Sequence, residues 1–364
     1  MSAARSITPS RVVGIGALVV AAVGPFVFSD YVAHTLLTQV FWLGIAAASL
    51  TFLSAYGGMV SLCQISLFGI AGFVVGNTVT TGEVKGLHLG WNPWLGVLLG
   101  VVVATVCGLL LGALSSRSFG IYFLMLTVVF AVLANYFFGQ VTILSGFSGI
   151  SGIQVHTPKI IGNPNLHPDR LYYIALVAAI LVYFLIRYLA RTPFGIALQG
   201  IRDDPVRMSS LGYNISAHRT LAFGFAAFVA SLGGVLFVWW NDHIDPATID
   251  LDAVINLLIV CVIGGLYKLE GAWVGALAFV LINNYLHDTN VPLVGGSFYT
   301  VIGIVFLVIV LLAPGGLLGI WDRVVQRLQS GSAGPVAAAA GPTEESPSTS
   351  QGGDDMRKGA MPGA

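Results

Sequence analysis

The chain has 364 residues, of which 56% are hydrophobic and 9% charged, and its 16 basic residues balance its 16 acidic ones. A soluble domain carries about 25% charged residues because its surface has to stay hydrated. Charge this sparse excludes a water-soluble globular protein, since the surplus apolar area must face lipid.

The expected fold is an all-α polytopic membrane protein. Crossing about 30 Å of hydrocarbon takes about 20 apolar residues, and about ten runs qualify: 12–28, 36–54, 58–80, 92–114, 119–139, 171–190, 220–240, 253–267, 273–286 and 298–313. The first follows Arg5 and Arg11 in the manner of a signal peptide. No small-x-small cleavage site follows Phe28, so an uncleaved first helix is expected. The third run is interrupted by Gly57, Gly58, Gly69, Gly72 and Gly76, and the eighth and ninth are short, so some helices are expected to be broken, tilted or re-entrant.

Two glycine-rich stretches, GGMVSLCQISLFGIAGF at 57–73 and GGLYKLEGAWVGALAF from Gly264 and Gly265 to 279, both start at the same expected edge. Two readings fit them. They are equivalent broken helices whose backbone faces a central path, or their glycines simply let helices pack closely. Gln39, Gln64, Thr127, Asn135 and Asn256 are uncharged polar residues inside runs. Each is costly against lipid, so each either lines the path or bonds a neighbouring helix.

Between the sixth and seventh runs lies the polar segment 191–219, RTPFGIALQGIRDDPVRMSSLGYNISAHR. Phe194, Ala197, Leu198 and Ile201 recur at helical spacing. Asp204 suits a helix N-cap, Pro205 the first helical position and Gly212 a left-handed C-terminal cap. The short helix between them has an apolar edge of Val206, Met208 and Leu211. It serves either as a plug for another subunit's groove or as a linker resting on the bilayer.

Further on, the loop 241–252 holds four Asp and no Lys or Arg. It meets a basic rim on a partner or is merely solvated. From about residue 329 to 364 the chain is mostly Ala, Gly, Pro, Ser and Thr, and a disordered tail is expected there. The membrane part is then 1–328.

With ten spans and a cytoplasmic N-terminus, thirteen basic residues fall on the cytoplasmic side: Arg5, Arg11, Arg117, Arg187, Arg191, Arg202, Arg207, Arg219, Lys268, Arg323, Arg327, Arg357 and Lys358. Only Lys85, Lys159 and Arg170 fall outside. This bias puts both termini in the cytoplasm. Trp91, Trp94, Trp239 and Trp240 at outer ends, and Trp321 at an inner end, agree with interfacial anchoring.

Some chemistry is disfavoured. A carboxylate at mid-membrane costs about 2.5–3.5 kcal/mol, and no Asp or Glu lies deep inside a run; Lys268 and Glu270 fall between two of them. That argues against proton coupling and leaves backbone-coordinated sodium open. Cys63, Cys107 and Cys261 are too scattered for a disulfide framework or a zinc site, and the seven His have no metal-ligand spacing. No Lys is followed by the Ser or Thr of a phosphate loop, so any ATP must be bound by another chain. No cofactor, no metal and no enzymatic activity are expected. Nucleic acid is not an expected partner; lipid is.

Several stretches together resemble the permease subunits of branched-chain amino-acid ABC importers, of the type called LivM. They are RTPFGIALQGIRDDPVRMSSLGYN at 191–214, LAFGFAAFVASLGGVLF at 221–237 and CVIGGLYKLEGAWVGALAF at 261–279. YGGMVSLCQISLFGIAGF at 56–73, FGIYFLMLTVVFAVLANYFF at 119–138 and LSGFSGISGI at 144–153 continue the resemblance, which spans about 56–316. Gln64 beside Cys63 departs from the Gly-His-like residues of the family pattern. The resemblance implies an ABC-importer permease in a bacterial inner membrane. Its implied partners are a second homologous permease, two cytoplasmic ATP-binding subunits and an extracytoplasmic solute-binding protein. It implies a coupling helix around Arg202, Asp203, Asp204, Pro205, Val206, Met208, Leu211 and Gly212. Rival readings are a permease for urea or short amides within the same family, and a self-sufficient facilitator for a small neutral solute.

Overall fold

The computed structural model describes residues 32–81, 87, 89–118, 120–158, 162, 164, 166, 168–287, 303, 307 and 316–319. The chain divides at Arg323, and all that follows concerns the part before it. The expected first span at 12–28, the tail at 329–364, and all of the 298–313 run except Gly303 and Leu307 lie outside the described residues.

A π-helical turn, Val32–Leu37, runs into α1, Thr38–Gly57. α1 stops at Gly58, whose φ of +64° is left-handed and whose N–H bonds the Leu53 carbonyl. After a short break comes α2, Gln64–Val79. Next is α3, Pro93–Ser115, where Asn92 accepts a hydrogen bond from the Trp94 N–H and proline opens the first turn. α4 is Ile121–Gln140 and α5 is Pro168–Leu189. α6, Pro193–Asp203, and α7, Pro205–Ser210, lead into α8, Ile215–Asn241. α9, Leu251–Gly264, and α10, Gly271–His287, complete the described helices. Two short strands, β1 at Ile150–Ser151 and β2 at His243–Ile244, pair antiparallel between distant loops.

Eight of these helices coincide with eight of the expected runs. Five stretches are long and apolar enough to cross a membrane: His34–Gly57, α3, α4, α5 and α8. α2, α9 and α10 are shorter, so a count of ten spans is not established by the described residues. The run at 58–80 differs most from expectation, because its helix begins only at Gln64. Gly58 turns left-handed, and residues 59–63 stay outside any helix.

α8 is the hub, packing against α3, α1 and α2. α1 is buried on almost every side. The two run antiparallel, with Trp42 meeting Phe237 at 4.9 Å and Phe52 meeting Phe225 at 5.0 Å between ring centroids. Glycines set the closeness of the other contacts. On α3 the buried stripe is Gly96, Gly100, Ala104, Gly108 and Gly112, while Leu98, Leu110 and Leu114 face outward. A methyl on Gly100 would lie 2.9 Å from the Ala71 carbonyl oxygen of α2, and one on Gly112 3.2 Å from the Thr220 carbonyl oxygen of α8. On α8, a methyl on Gly234 would collide with the carbonyl of Phe68. This small-xxx-small packing brings backbones together where lipid offers no hydrophobic drive.

α1 with α2, and α9 with α10, share one local design. Each first helix ends in Gly-Gly with positive φ on the second glycine, +64° at Gly58 and +118° at Gly265. Each next helix starts six residues after it, at Gln64 and at Gly271. In the second copy the glycines serve close packing: a methyl on Gly271 would lie 2.9 Å from the Gly264 carbonyl carbon.

Gly234→Ala drives a methyl into backbone that cannot yield, so it should destabilise the detergent-solubilised protein by about 1–3 kcal/mol. Leu110→Ala, on the outward face, should leave the thermal unfolding midpoint near that of the wild type.

Candidate translocation path and coupling surface

The break before α2 places polar groups inside the bundle. Gln64 is 0% exposed. It accepts a hydrogen bond from Ser49 Oγ of α1 at 3.4 Å and donates from Nε2 to Ser61 Oγ at 3.5 Å. The Leu62 N–H donates to Thr127 Oγ1 of α4 at 3.1 Å, and Thr127 donates in turn to the Leu124 carbonyl at 2.8 Å. Gln64 and Thr127 therefore belong to one buried neutral cluster, at the level of the middle of α1. The first N–H groups of a helix have no acceptor within it, so α2 turns the positive end of its dipole into this cluster.

The other polar residues marked in the sequence lie elsewhere. Asn135, two turns further along α4, donates to the Pro246 carbonyl at 2.7 Å and ties α4 to the loop after α8. Gln39 on α1 and Asn256 on α9 are half-buried, and no hydrogen bond joins them to the Gln64 cluster among the described residues. Gly264 and Gly265 sit at the turn between α9 and α10. Sequence reasoning missed Ser49 and Ser61. Their only signal was a small hydroxyl inside or beside an apolar run, which many helices carry merely to bond their own carbonyls.

Charges collect at the two ends of the bundle. At one end Arg187 pairs with Glu270 at 2.8 Å, and Tyr183 donates to the same carboxylate at 3.0 Å. The same end carries α6 and α7. Leu198 and Ile201 of α6 are fully buried, and Leu198 lies against Gly57 at the end of α1. Arg202 lays its stem over Gly58, donates to the Ala55 carbonyl and pairs with Asp203 at 2.8 Å. Asp204 caps α7 by accepting from the Arg207 N–H at 3.0 Å. Pro205 takes the first helical position, and Gly212 follows at φ +86°. Met208 turns back onto Gly200 of α6. Val206 and Leu211 point outward, 77% and 68% exposed. The surface is thus a capped apolar knob on a rigid stem. The stem ends at the backbone turn from which the α2 break starts.

At the opposite end lie Asp169, Asp242, Asp245, Asp250 and Asp252 with Arg170. There His34 approaches Asp169 at 3.1 Å and His243 approaches Asp245 at 3.7 Å.

The family model described as branched-chain amino acid transport system / permease component matches residues 32–311. The LivM high-affinity branched-chain amino acid transport permease of Salmonella typhimurium is 24% identical over 347 residues, covering 87% of this chain and 76% of that protein. The LivM protein of Escherichia coli K12 is 23% identical over 304 residues, covering 76% and 68%. A probable LivH permease of Methanocaldococcus jannaschii is 24% identical over 290 residues, covering 76% and 84%. No solved structure matches the chain. The family match runs from the turn before α1 past α10 and takes in both the buried polar cluster and the capped knob; the chain belongs to the permease family of branched-chain amino acid transport systems.

Proposed function

We propose that this chain is one of two related permease subunits of an ATP-driven importer of branched-chain amino acids. Two ATP-binding subunits then dock on the α6–α7 end, which faces the cytoplasm together with both termini. A solute-binding protein delivers the amino acid at the opposite, acidic end. The membrane is the bacterial inner membrane. The observation that carries this reading is the continuous family match across both the coupling surface and the polar cluster.

The geometry supplies a mechanism. The exposed Val206 and Leu211 suit an apolar groove on an ATP-binding subunit. Movement of α7 passes through Arg202 to the carbonyl of Ala55 and the left-handed turn at Gly58. That turn begins the segment carrying Ser61 and Gln64. A shift of the knob therefore moves the polar cluster directly, and ATP binding selects between two arrangements of the same contacts. The cluster is neutral, so it can hydrate a zwitterionic solute in passing without the cost of a buried charge. The permease itself makes and breaks no covalent bond.

Co-purification from cells that also express the ATP-binding subunits tests the docking. Wild type should retain them, and Asp204→Arg with Leu211→Arg should lose them while still reaching the membrane. If the wild type never holds an ATP-binding subunit, the importer reading fails and a self-sufficient facilitator takes its place.

Arg202→Ala separates docking from transmission. A hydrogen bond from a charged group contributes about 1.5–3 kcal/mol, so its loss should slow leucine uptake by roughly tenfold or more. The ATP-binding subunits should remain bound. Retained uptake in this variant would place the transmission elsewhere.

A further inference from the structure

Above the Gln64 cluster, the next face of α2 is covered largely by loops, with Val238 of α8 sharing the contact at Gly72. Gly69, Gly72 and Gly76 fall within eight residues there, about 10 Å of helix. A methyl on Gly69 would collide with Ile249, and one on Gly72 would lie 2.5 Å from Ile244 Cδ1. A methyl on Gly76 would lie 3.2 Å from Ile153 Cδ1 and 3.3 Å from Ile150 Cδ1. All four isoleucines are buried, and all come from the two loops joined by the β1–β2 pair, which matches Ile150 with Ile244 and Ser151 with His243.

The way these loops are held differs from the helix contacts below them. The pairing is only two residues long on each side. Single polar bonds fasten the rest: Gln154 N–H to Asp242 Oδ1 at 2.7 Å, Gln154 Nε2 to the Trp240 carbonyl at 3.0 Å, and Asn135 to the Pro246 carbonyl at 2.7 Å. Thr81 meets His156 at 2.8 Å, and Ser151 meets His243 at 2.8 Å, both exposed. The chain leaves α8 through Asp242 at φ +60°, the one left-handed non-glycine residue among the described residues. The helix thus stops sharply where the loop begins. Branched aliphatic side chains seated on glycines exclude water and meet no α2 side chain at those three positions.

We propose that this loop pair is the outer gate of the transport path: Ile150, Ile153, Ile244 and Ile249 seal the glycine face of α2 above Gln64, and the pair lifts as one unit to admit the solute. The inference rests on the reading of the Gln64 cluster as part of that path. Helices elsewhere in this bundle meet such glycines themselves, whereas here loop isoleucines cover Gly69 and Gly76 and share Gly72 with Val238 of α8.

Cys63, fully buried beside Gln64, is a native reporter beneath the seal. In the full-length chain with Cys107→Ser and Cys261→Ser, co-expressed with its partner subunits, it is the only thiol. Right-side-out vesicles are treated with a membrane-impermeant cationic methanethiosulfonate. Labelling should be slow in this background and at least about fivefold faster with Ile244→Ala plus Ile249→Ala, because labelling follows the population of the opened state. Ile249→Val, one carbon smaller, should fall between them and guards against misfolding of the double variant. Inside-out vesicles should show no such increase. Equal labelling in all three proteins, or an increase from the other side, would overturn the gate. Separately, oxidising Ser151→Cys with His243→Cys should tie the two loops to each other and leave leucine uptake unchanged; uptake lost on forming the disulfide and restored by dithiothreitol would mean that the loops part from one another, and would overturn a pair that lifts as one unit. If the wild type takes up no leucine, the substrate reading fails while the Cys63 labelling still decides the gate.

Discussion

Between helices that sit in hydrocarbon, hiding one more leucine gains nothing, because lipid tails are as apolar as the side chain. Cohesion has to come from close approach of backbones, and in this protein α8 makes that approach on three sides. Its Gly234 touches the Phe68 carbonyl of α2, its Thr220 and Phe223 meet Gly112 of α3, and its Gly233 lies 3.1 Å, measured from a methyl placed there, from the Trp42 carbonyl of α1. A side chain at any of these positions would push a neighbouring helix outward. The depth and angle of α2 follow from these contacts.

That placement has a consequence for α2. A helix of 16 residues reaches about 24 Å, less than the hydrocarbon thickness. Its start therefore falls within the bundle, with its orphan N–H groups among Ser49, Ser61 and Thr127. A break in a helix is tolerated at membrane depth only where protein or a water-lined path surrounds it. Here Ser61 and Cys63 of the break and Gln64 at the start of α2 are buried, and Ser61, Leu62 and Gln64 are hydrogen-bonded. The same break is joined through Gly58 to Arg202, so the buried polar cluster and the exposed α6–α7 knob share one backbone turn.

The second Gly-Gly turn, at Gly264 and Gly265, shows how the same local design serves a different end. The first copy is followed by Ser61, Cys63 and Gln64, the second by Lys268, Glu270 and Gly271. Small polar residues keep the first copy buried. The charged residues hold the second at the surface, where Glu270 binds Arg187 and Tyr183. One turn thus feeds a helix too short to span the hydrocarbon, and the other anchors α5 to the α9–α10 hairpin.

By itself the sequence determined the class, most of the apolar runs and the segregation of charge, because each depends on composition within a window of about twenty residues. It also determined the caps of α7, since Asp204, Pro205 and Gly212 act on backbone groups within a few residues. Tertiary structure alone decided where α2 begins, which polar residues meet, and what covers its glycines. Leu62 reaches Thr127 across 65 positions, Asn135 reaches Pro246 across 111, and Arg202 reaches Ala55 across 147. Nothing local distinguishes Gly69, seated under a loop isoleucine, from Gly108, seated on α8. A glycine leaves room without naming its occupant, and the occupant is chosen only when distant segments compete for that space in the folded bundle.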